Sequence, residues 1–244
     1  MAANLTERAG TALTRAHGFL QRLPPGAISA QGRLAVITQR AGLTLCEIAR
    51  PELRTANSVG VLPSPMPFAG PDEPLQRLVT GRRQPLPDSV PPSTPDDAPP
   101  WALGLLRADP QTLTDLAEQA ALDSLWGATT TAMPSRVRAG WSTALPVAIA
   151  LAVQARDLAV LPTLIRAAGY LALHEHPLTT GAAAFLISQQ QPDGGLGALP
   201  TSADPQLAIH ARLPLTVSFA WTLAELLDPG FTTRIMSGEV THGT

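Results

Sequence analysis

Proline is distributed very unevenly along this chain, and that distribution limits the folds open to it. Thirteen of the 25 prolines lie between Pro63 and Pro110. Each proline removes a backbone donor and clashes with the preceding helical turn, so no helix runs through a segment this rich in proline. Residues 63–100 are therefore predicted to form a long extended loop or linker with polyproline II character.

Both flanks of this proline-rich segment carry apolar residues at helical spacing. Near the N-terminus, Ala9, Leu13, Ala16 and Leu20 repeat every three or four residues. No stretch alternates as a strand does, so the predicted class is all-α, with helical hairpins packed as a single domain over residues 1–244. The predicted helices are Thr6–Leu23, Ser29–Ala49, one that begins at Asp109, Thr143–Arg156, Asp157–His174, Thr180–Gln191, Asp204–Arg212 and Leu215–Leu227.

The charged and reactive residues exclude several classes of function. The chain has no lysine, which excludes Schiff-base and P-loop chemistry. Cys46 is the only cysteine, so no intramolecular disulfide forms, and its apolar helical position predicts a small buried hydrophobe. A formal net charge of −2 argues against a nucleic-acid partner. Neither a metal nor a cofactor is predicted.

The N-terminus and the apolar runs give expectations about location. The first 25 residues carry Glu7, Arg8, Arg15 and Arg22 and lack the apolar core of a signal peptide. The longest apolar run, Ala144–Val153, has ten residues, whereas a bilayer requires about 20. We therefore expect a cytoplasmic protein without a membrane span.

A distinctive turn sequence follows the helix predicted at Thr180–Gln191. The segment Gln189–Gly197 reads Gln-Gln-Gln-Pro-Asp-Gly-Gly-Leu-Gly. Pro192 stops the helix, an aspartate can accept hydrogen bonds from the amides that follow it, and glycine adopts a positive φ at little cost. Asp193, Gly194 and Gly195 are accordingly predicted to form a structural turn.

This segment resembles the QW-type repeat of the α/α-toroid superfamily, which includes triterpene cyclases, protein prenyltransferases and lyase-like helical barrels. In the cyclases the repeat ties neighbouring outer and inner helices together, so the resemblance implies a partial α/α toroid. It covers Phe185–Gly197 strongly and extends weakly over Trp141–Leu227. Leu196 stands where the cyclase repeat has tryptophan, so the stacking contact of the repeat is missing.

The catalytic residues of that superfamily do not carry over. The cyclases use an Asp-x-Asp-Asp acid, whereas the only Asp-Asp pair here, Asp96-Asp97, lacks the earlier aspartate. Cyclases also stabilise carbocations with aromatic rings, and this chain has five Phe, four Trp and one Tyr. A prenyltransferase β-subunit needs Asp, Cys and His as zinc ligands, and Cys46 has no such neighbours. Whether the chain is an enzyme is left open.

Two tryptophans and one titratable cluster are the candidate ligand-binding residues. Trp141 and Trp221 are large aromatics in a background of Ala and Leu, so they are expected as core anchors or as walls of an apolar pocket. His174, Glu175 and His176 lie together at the predicted end of a helix. Two interpretations are open for this cluster: acid–base or metal chemistry, or a solvated C-terminal cap whose imidazolium complements the helix dipole.

Two functional hypotheses of different classes fit these residues. The preferred one is a non-catalytic α/α-toroid-like accessory or scaffold protein of bacterial specialised metabolism. It binds a protein partner or a second copy of itself, and the proline-rich segment suits the wrapping of a partner. The alternative is a terpenoid cyclase-like enzyme, or a binder of an apolar small molecule in a cavity between helices. A plain helical domain of a larger assembly is a third hypothesis, and the sequence does not separate it from the first.

Overall fold

The described part of the chain is built from α-helices. The computed structural model describes residues 2–23, 30–54, 135–198 and 205–237, together with Ala117, Ala120, Ala121, Ser124 and Leu125. Of these residues 80% are helical and none lies in a strand, which confirms the predicted all-α class. The helices are α1 (Ala2–Arg22), α2 (Ala30–Ala49), α3 (Ser135–Ala155), α4 (Leu161–Tyr170), α5 (Pro177–Ser188), α6 (Pro205–Leu227) and α7 (Phe231–Ser237), and a short 3₁₀ turn, Pro51–Leu53, follows α2.

Helix α6 lies at the centre of the packing. It contacts α1, α2, α4 and α7, whereas α3 packs against α4 and α5, and α1 also contacts α2 and α5. Its middle can occupy that position because Val217, Phe219, Ala220 and Leu223 are all buried. These residues point in different directions around the helix, a pattern typical of a helix in the interior of a protein.

The core consists mainly of aliphatic side chains and alanine. Helix α1 buries Ala9, Ala12 and Ala16 along one face, and such small residues let neighbouring helices approach closely. Cys46 of α2 is fully buried, which confirms the prediction of a small buried hydrophobe. Burial raises the pKa of its thiol, and the charge of Glu47 adds to this effect.

Two prolines lie inside helices; Pro146 also lay inside a predicted helix, whereas Pro214 lies where the sequence predicted a break. Helix α6 runs continuously through Pro214, where two helices, Asp204–Arg212 and Leu215–Leu227, were predicted. Helix α3 contains Pro146 and begins eight residues before the predicted start at Thr143. An interior proline costs a helix about 3 kcal/mol, because the carbonyl four residues earlier loses its donor. The burial of apolar neighbours on both sides of each proline outweighs that cost.

Helix α4 is shorter than the predicted helix Asp157–His174. The turns on its two sides place non-glycine residues in the left-handed region, with φ of 54° at Arg156 and 61° at Ala172. In each turn the amide of the left-handed residue donates to the carbonyl three residues earlier. The amide of the following residue donates to the carbonyl five residues earlier, and the two bonds together form a Schellman motif. Asp157 therefore lies outside the helix, where its carboxylate accepts from the amides of Ala159 and Val160.

Parts of the sequence prediction lie outside the described residues. The proline-rich segment 63–100 is one of them. Of the helix predicted from Asp109, the structure describes five residues, all of them helical: Ala117, Ala120, Ala121, Ser124 and Leu125. The single domain over residues 1–244 and the partial toroid therefore stay predictions. Among the described helices, none combines the length and the apolar character that a membrane crossing requires.

Gly42 lies where α2 crosses α1 and α6, and its packing generates a first testable prediction. A β-carbon at this position would lie 2.7 Å from Val217 Cγ2 and 2.9 Å from Leu20 Cδ1. We expect Gly42→Ala to lower the free energy of unfolding by about 1 kcal/mol or more, because overpacking outweighs the higher helix propensity of alanine. Urea unfolding followed by circular dichroism measures this change.

The matched control is Gly181→Ala on α5. A β-carbon on Gly181 would meet nothing within 4 Å, so only the helix propensity changes there. This variant should raise the free energy of unfolding by about 0.5–1 kcal/mol. The described packing of α1, α2 and α6 is contradicted if both variants gain stability equally.

Candidate functional site

The segment Gln189–Gly197 forms a tight turn after α5. Gln190 and Leu196 face each other as an isolated antiparallel bridge, and the Gln191 amide donates to the Gly195 carbonyl at 2.9 Å. Gly194 has a φ of 91°, in the left-handed region that L side chains rarely adopt. The chain therefore reverses within a few residues of the end of α5. Residues Gln190–Leu196 are called the clamp turn below.

The Asp193 side chain closes the clamp turn and also contacts a buried cation. Its Oδ1 accepts from the Gly195 amide at 3.0 Å. Its two oxygens accept from the two Nη atoms of Arg212 on α6, each at 2.8 Å. This two-pronged contact holds the pKa of Asp193 below its ordinary value, and the Gly195 amide adds to the effect. Asp193 is thus ionised at neutral pH, a state in which it donates no proton.

Arg212 joins the clamp turn to the centre of the fold. Its side chain is 4% exposed, whereas that of Asp193 is 46% exposed. The Arg212 Nε donates to the Leu196 carbonyl at 3.3 Å, and the guanidinium carbon lies 5.0 Å from the centre of the Phe19 ring on α1. The cation is therefore enclosed by a carboxylate, a carbonyl and an aromatic ring, which compensates for its removal from water.

Glycine is required at two positions because the clamp turn approaches its neighbours closely. A β-carbon on Gly194 would overlap the Arg15 carbonyl oxygen of α1, and one on Gly195 would overlap the Arg212 guanidinium. Either overlap could be relieved only by displacing the α1 backbone or the enclosed guanidinium. These contacts favour the structural interpretation of Asp193, Gly194 and Gly195 over a catalytic one, and their role stays a prediction that the substitutions below test.

Side chains at both edges of the clamp turn also bind it to α1. They donate to backbone carbonyls, so each bond constrains the position of the backbone itself rather than that of a second side chain. The pairs are Gln190 Nε2 with the Ala12 and Gly194 carbonyls, both at 2.9 Å, Arg15 with the Gln191 carbonyl at 2.6 Å, and Arg22 with the Asp193 carbonyl at 2.5 Å.

The two tryptophans predicted as ligand-binding residues are buried in the core. Trp141 on α3 is 2% exposed and Trp221 on α6 is 1% exposed. The Trp221 ring is covered by the Arg166 guanidinium at 4.1 Å, and its indole N–H donates to the Thr232 hydroxyl at 2.8 Å. That ring already has the stacking and hydrogen-bond partners that a ligand would otherwise supply.

The cluster His174, Glu175 and His176 lies in the turn between α4 and α5. The expectation of a C-terminal cap is wrong, because α4 ends at Tyr170 and the cluster precedes the next helix. His176 instead caps the N-terminus of α5, where its Nδ1 accepts from the Leu178 amide at 3.2 Å. This bond requires an unprotonated Nδ1. Pro177, which follows, occupies the first helical position, where no amide donor is needed.

A buried polar network beneath α7 was not found by sequence reasoning. The Glu225 carboxylate accepts from the Gly230 amide, the Thr232 amide and the Thr232 hydroxyl. Tyr170 donates to the same hydroxyl at 3.1 Å; burial raises the pKa of Tyr170, and the charge of Glu225 raises it further. The network fixes the corner between α6 and α7. Its members lie on three elements, and no local sequence pattern connects them.

The outer face of α1 borders two open grooves. One, of about 400 Å³, lies between α1 and the end of α5 and includes Arg8, Arg15 and Gln190 in its lining. The other, of about 500 Å³, lies between α1 and the ends of α2 and α6 and includes Arg50 and Glu52. None of the five predicted ligand-binding residues lines either groove. The sequence signal for this surface was the recurrence of exposed arginines along α1.

A metal site is not formed by the described side chains, among which no group of three His, Cys, Asp or Glu residues comes together. Comparison with known proteins adds no relative: no family model, no curated protein and no solved structure matches this chain.

The Asp193–Arg212 contact predicts an unusually large effect for a half-exposed aspartate. Asp193→Ala would leave the buried Arg212 cation without its carboxylate, so the free energy of unfolding should fall by about 3 kcal/mol. The matched control is Asp157→Ala. It also removes a carboxylate that accepts from backbone amides, but it leaves no buried cation without a counter-ion. Its loss should be that of an ordinary cap, about 1 kcal/mol. Urea unfolding compares the two variants, and equal losses would contradict a special role for Asp193.

The low pKa of Asp193 predicts a specific pH dependence. In the unfolded chain this carboxyl titrates at its ordinary value of 3.8, whereas the Arg212 contact lowers its pKa in the folded state. A lowered folded pKa contributes stability that is present above the unfolded value and lost as the pH falls through the folded value. The stability difference between the wild type and Asp193→Ala should therefore be constant from about pH 5 to 7 and shrink below about pH 4. A difference that persists unchanged at the lowest pH would contradict this linkage.

Proposed function

We propose that this chain is a non-catalytic, α/α-toroid-like accessory or scaffold protein that acts by binding a protein partner. The observation that carries the proposal is the contrast between the interior and the surface of α1. The aromatic side chains suited to ligand binding are packed and partnered, whereas α1 presents charged side chains beside two open grooves. A polar, open surface of this kind is typical of a protein–protein contact rather than of a small-molecule site.

The electrostatics of Asp193 support the non-catalytic part of this proposal. An acid that starts a cyclisation must hold a proton, and Asp193, the acidic residue of the QW-like segment, has a lowered pKa and two bonds to Arg212. The toroid-like arrangement rests on the resemblance of Gln189–Gly197 and on the way its turn joins α5, α1 and α6. The alternative, a binder of apolar molecules, requires a cavity beside Trp141 or Trp221, and the burial of both rings weighs against it.

Size-exclusion chromatography combined with affinity capture from the native lysate tests the proposal. The 25.5 kDa chain should elute in a larger complex that contains a second protein, or a second copy, at a fixed ratio. An unrelated helical protein of similar size and charge on the same resin is the control for non-specific retention. A chain that elutes as a monomer and retains no protein in a fixed ratio would overturn the proposal.

A further inference from the structure

The exposed face of α1 is basic along its length. Arg8, Arg15 and Arg22 are all exposed and lie seven residues apart, so they share one face at intervals of about 10 Å along the helix axis. Glu7 is the only carboxylate between the ends of α1. The helix thus carries a local positive charge in a chain whose formal net charge is −2.

The clamp turn holds two of these arginines in fixed positions. Arg15 donates one bond to the Gln191 carbonyl, and Arg22 donates one to the Asp193 carbonyl. A guanidinium has five N–H donors in a planar fork, so each of the two arginines keeps donors for a further acceptor. Side chains that are fixed in advance lose less conformational entropy when a partner binds.

The groove beside these arginines is also lined by a side chain that is held in place by two hydrogen bonds. Gln190 lines it and is 9% exposed. Its Nε2 already donates to two carbonyls, which fixes the orientation of the amide, and its Oε1 has no hydrogen-bond partner in the described part of the chain. Gln190 is therefore a fixed part of the groove lining, and its buried Oε1 is not an accessible acceptor.

We propose that the groove between α1 and the end of α5 binds an acidic, extended polypeptide segment of the protein partner. This inference rests on the proposed function and adds the chemistry of the partner. Carboxylates about 10 Å apart match Arg8 and Arg15. In an extended segment of polyproline II conformation, residues three apart share one face and lie about 9 Å apart. Nucleic acid fits less well, because Glu7 lines the same groove and the described lining includes no aromatic ring for base stacking.

Fluorescence anisotropy with a labelled peptide of repeated Glu-Ser-Gly triplets tests the assignment at low ionic strength. Arg8→Gln should weaken binding about fivefold, the upper range for an exposed ion pair. Arg8 makes no side-chain hydrogen bond or ion pair in the described part of the chain, so this variant should unfold like the wild type. Glu7→Gln should tighten binding about twofold, because it removes a like charge from the groove. The matched control, Arg138→Gln, removes an exposed arginine on α3 and should leave the affinity unchanged.

Several outcomes would overturn the assignment. The affinity could fall equally for Arg8→Gln and Arg138→Gln, or it could stay unchanged for Glu7→Gln. A peptide with glutamine in place of glutamate could bind equally strongly. A short oligothymidylate could bind more tightly than the peptide, in a manner that depends on Arg8. Affinity capture with the Arg8→Gln chain separates this inference from the proposed function. A partner retained equally by both chains overturns the groove assignment alone, whereas a monomer without any partner overturns the proposed function.

Discussion

The enclosed guanidinium of Arg212 is the interaction on which the packing of α1, α5 and α6 depends. It lies where the three elements meet, and it is stable there only because Asp193, the Leu196 carbonyl and the Phe19 ring surround it. An arginine at the centre of an Ala- and Leu-rich core is otherwise costly. The clamp turn therefore does more than connect α5 to α6, because its Asp193 carboxylate neutralises the buried Arg212 cation.

This dependence extends from the core to the surface of α1. The same turn that neutralises Arg212 approaches the α1 backbone so closely that Gly194 and Gly195 admit no β-carbon. It also fixes Gln190, Arg15 and Arg22 by bonds to carbonyls. The clamp turn consequently supplies Gln190 to the lining of the groove beside α1 and holds Arg15 there. A change that loosens the turn should alter both stability and the proposed binding surface.

The sequence predicted the all-α class because local periodicity and the absence of alternation are sufficient for it. It also singled out the clamp turn, since Pro192, Asp193 and Gly194 each have a local conformational preference. The helix boundaries predicted from the sequence were wrong where tertiary packing outweighed local conformational preferences. Pro214 continues α6 because its neighbours are buried, and Arg156 and Ala172 adopt the left-handed conformation that sequence rules assign to glycine.

The partners of the clamp turn could not be predicted, because they are distant in sequence. Arg212 lies 19 residues after Asp193, and Gln190 bonds to the Ala12 carbonyl across 178 residues. Neither spacing is a recognisable pattern. The histidine cluster was misplaced for a related reason. The left-handed residue that follows α4 is Ala172 rather than a glycine, so His176 was assigned to the end of one helix rather than to the start of the next.

A double-mutant cycle between Asp193 and Arg212 tests the central claim most directly. Asp193→Ala, Arg212→Met and the double variant are compared by urea unfolding. If the carboxylate acts by neutralising the enclosed cation, Asp193→Ala should lower the free energy of unfolding much less in the Arg212→Met background than in the wild type. The coupling free energy should be about 2 kcal/mol or more. Losses that add to within about 0.5 kcal/mol would show that the two residues act independently, and would contradict the account.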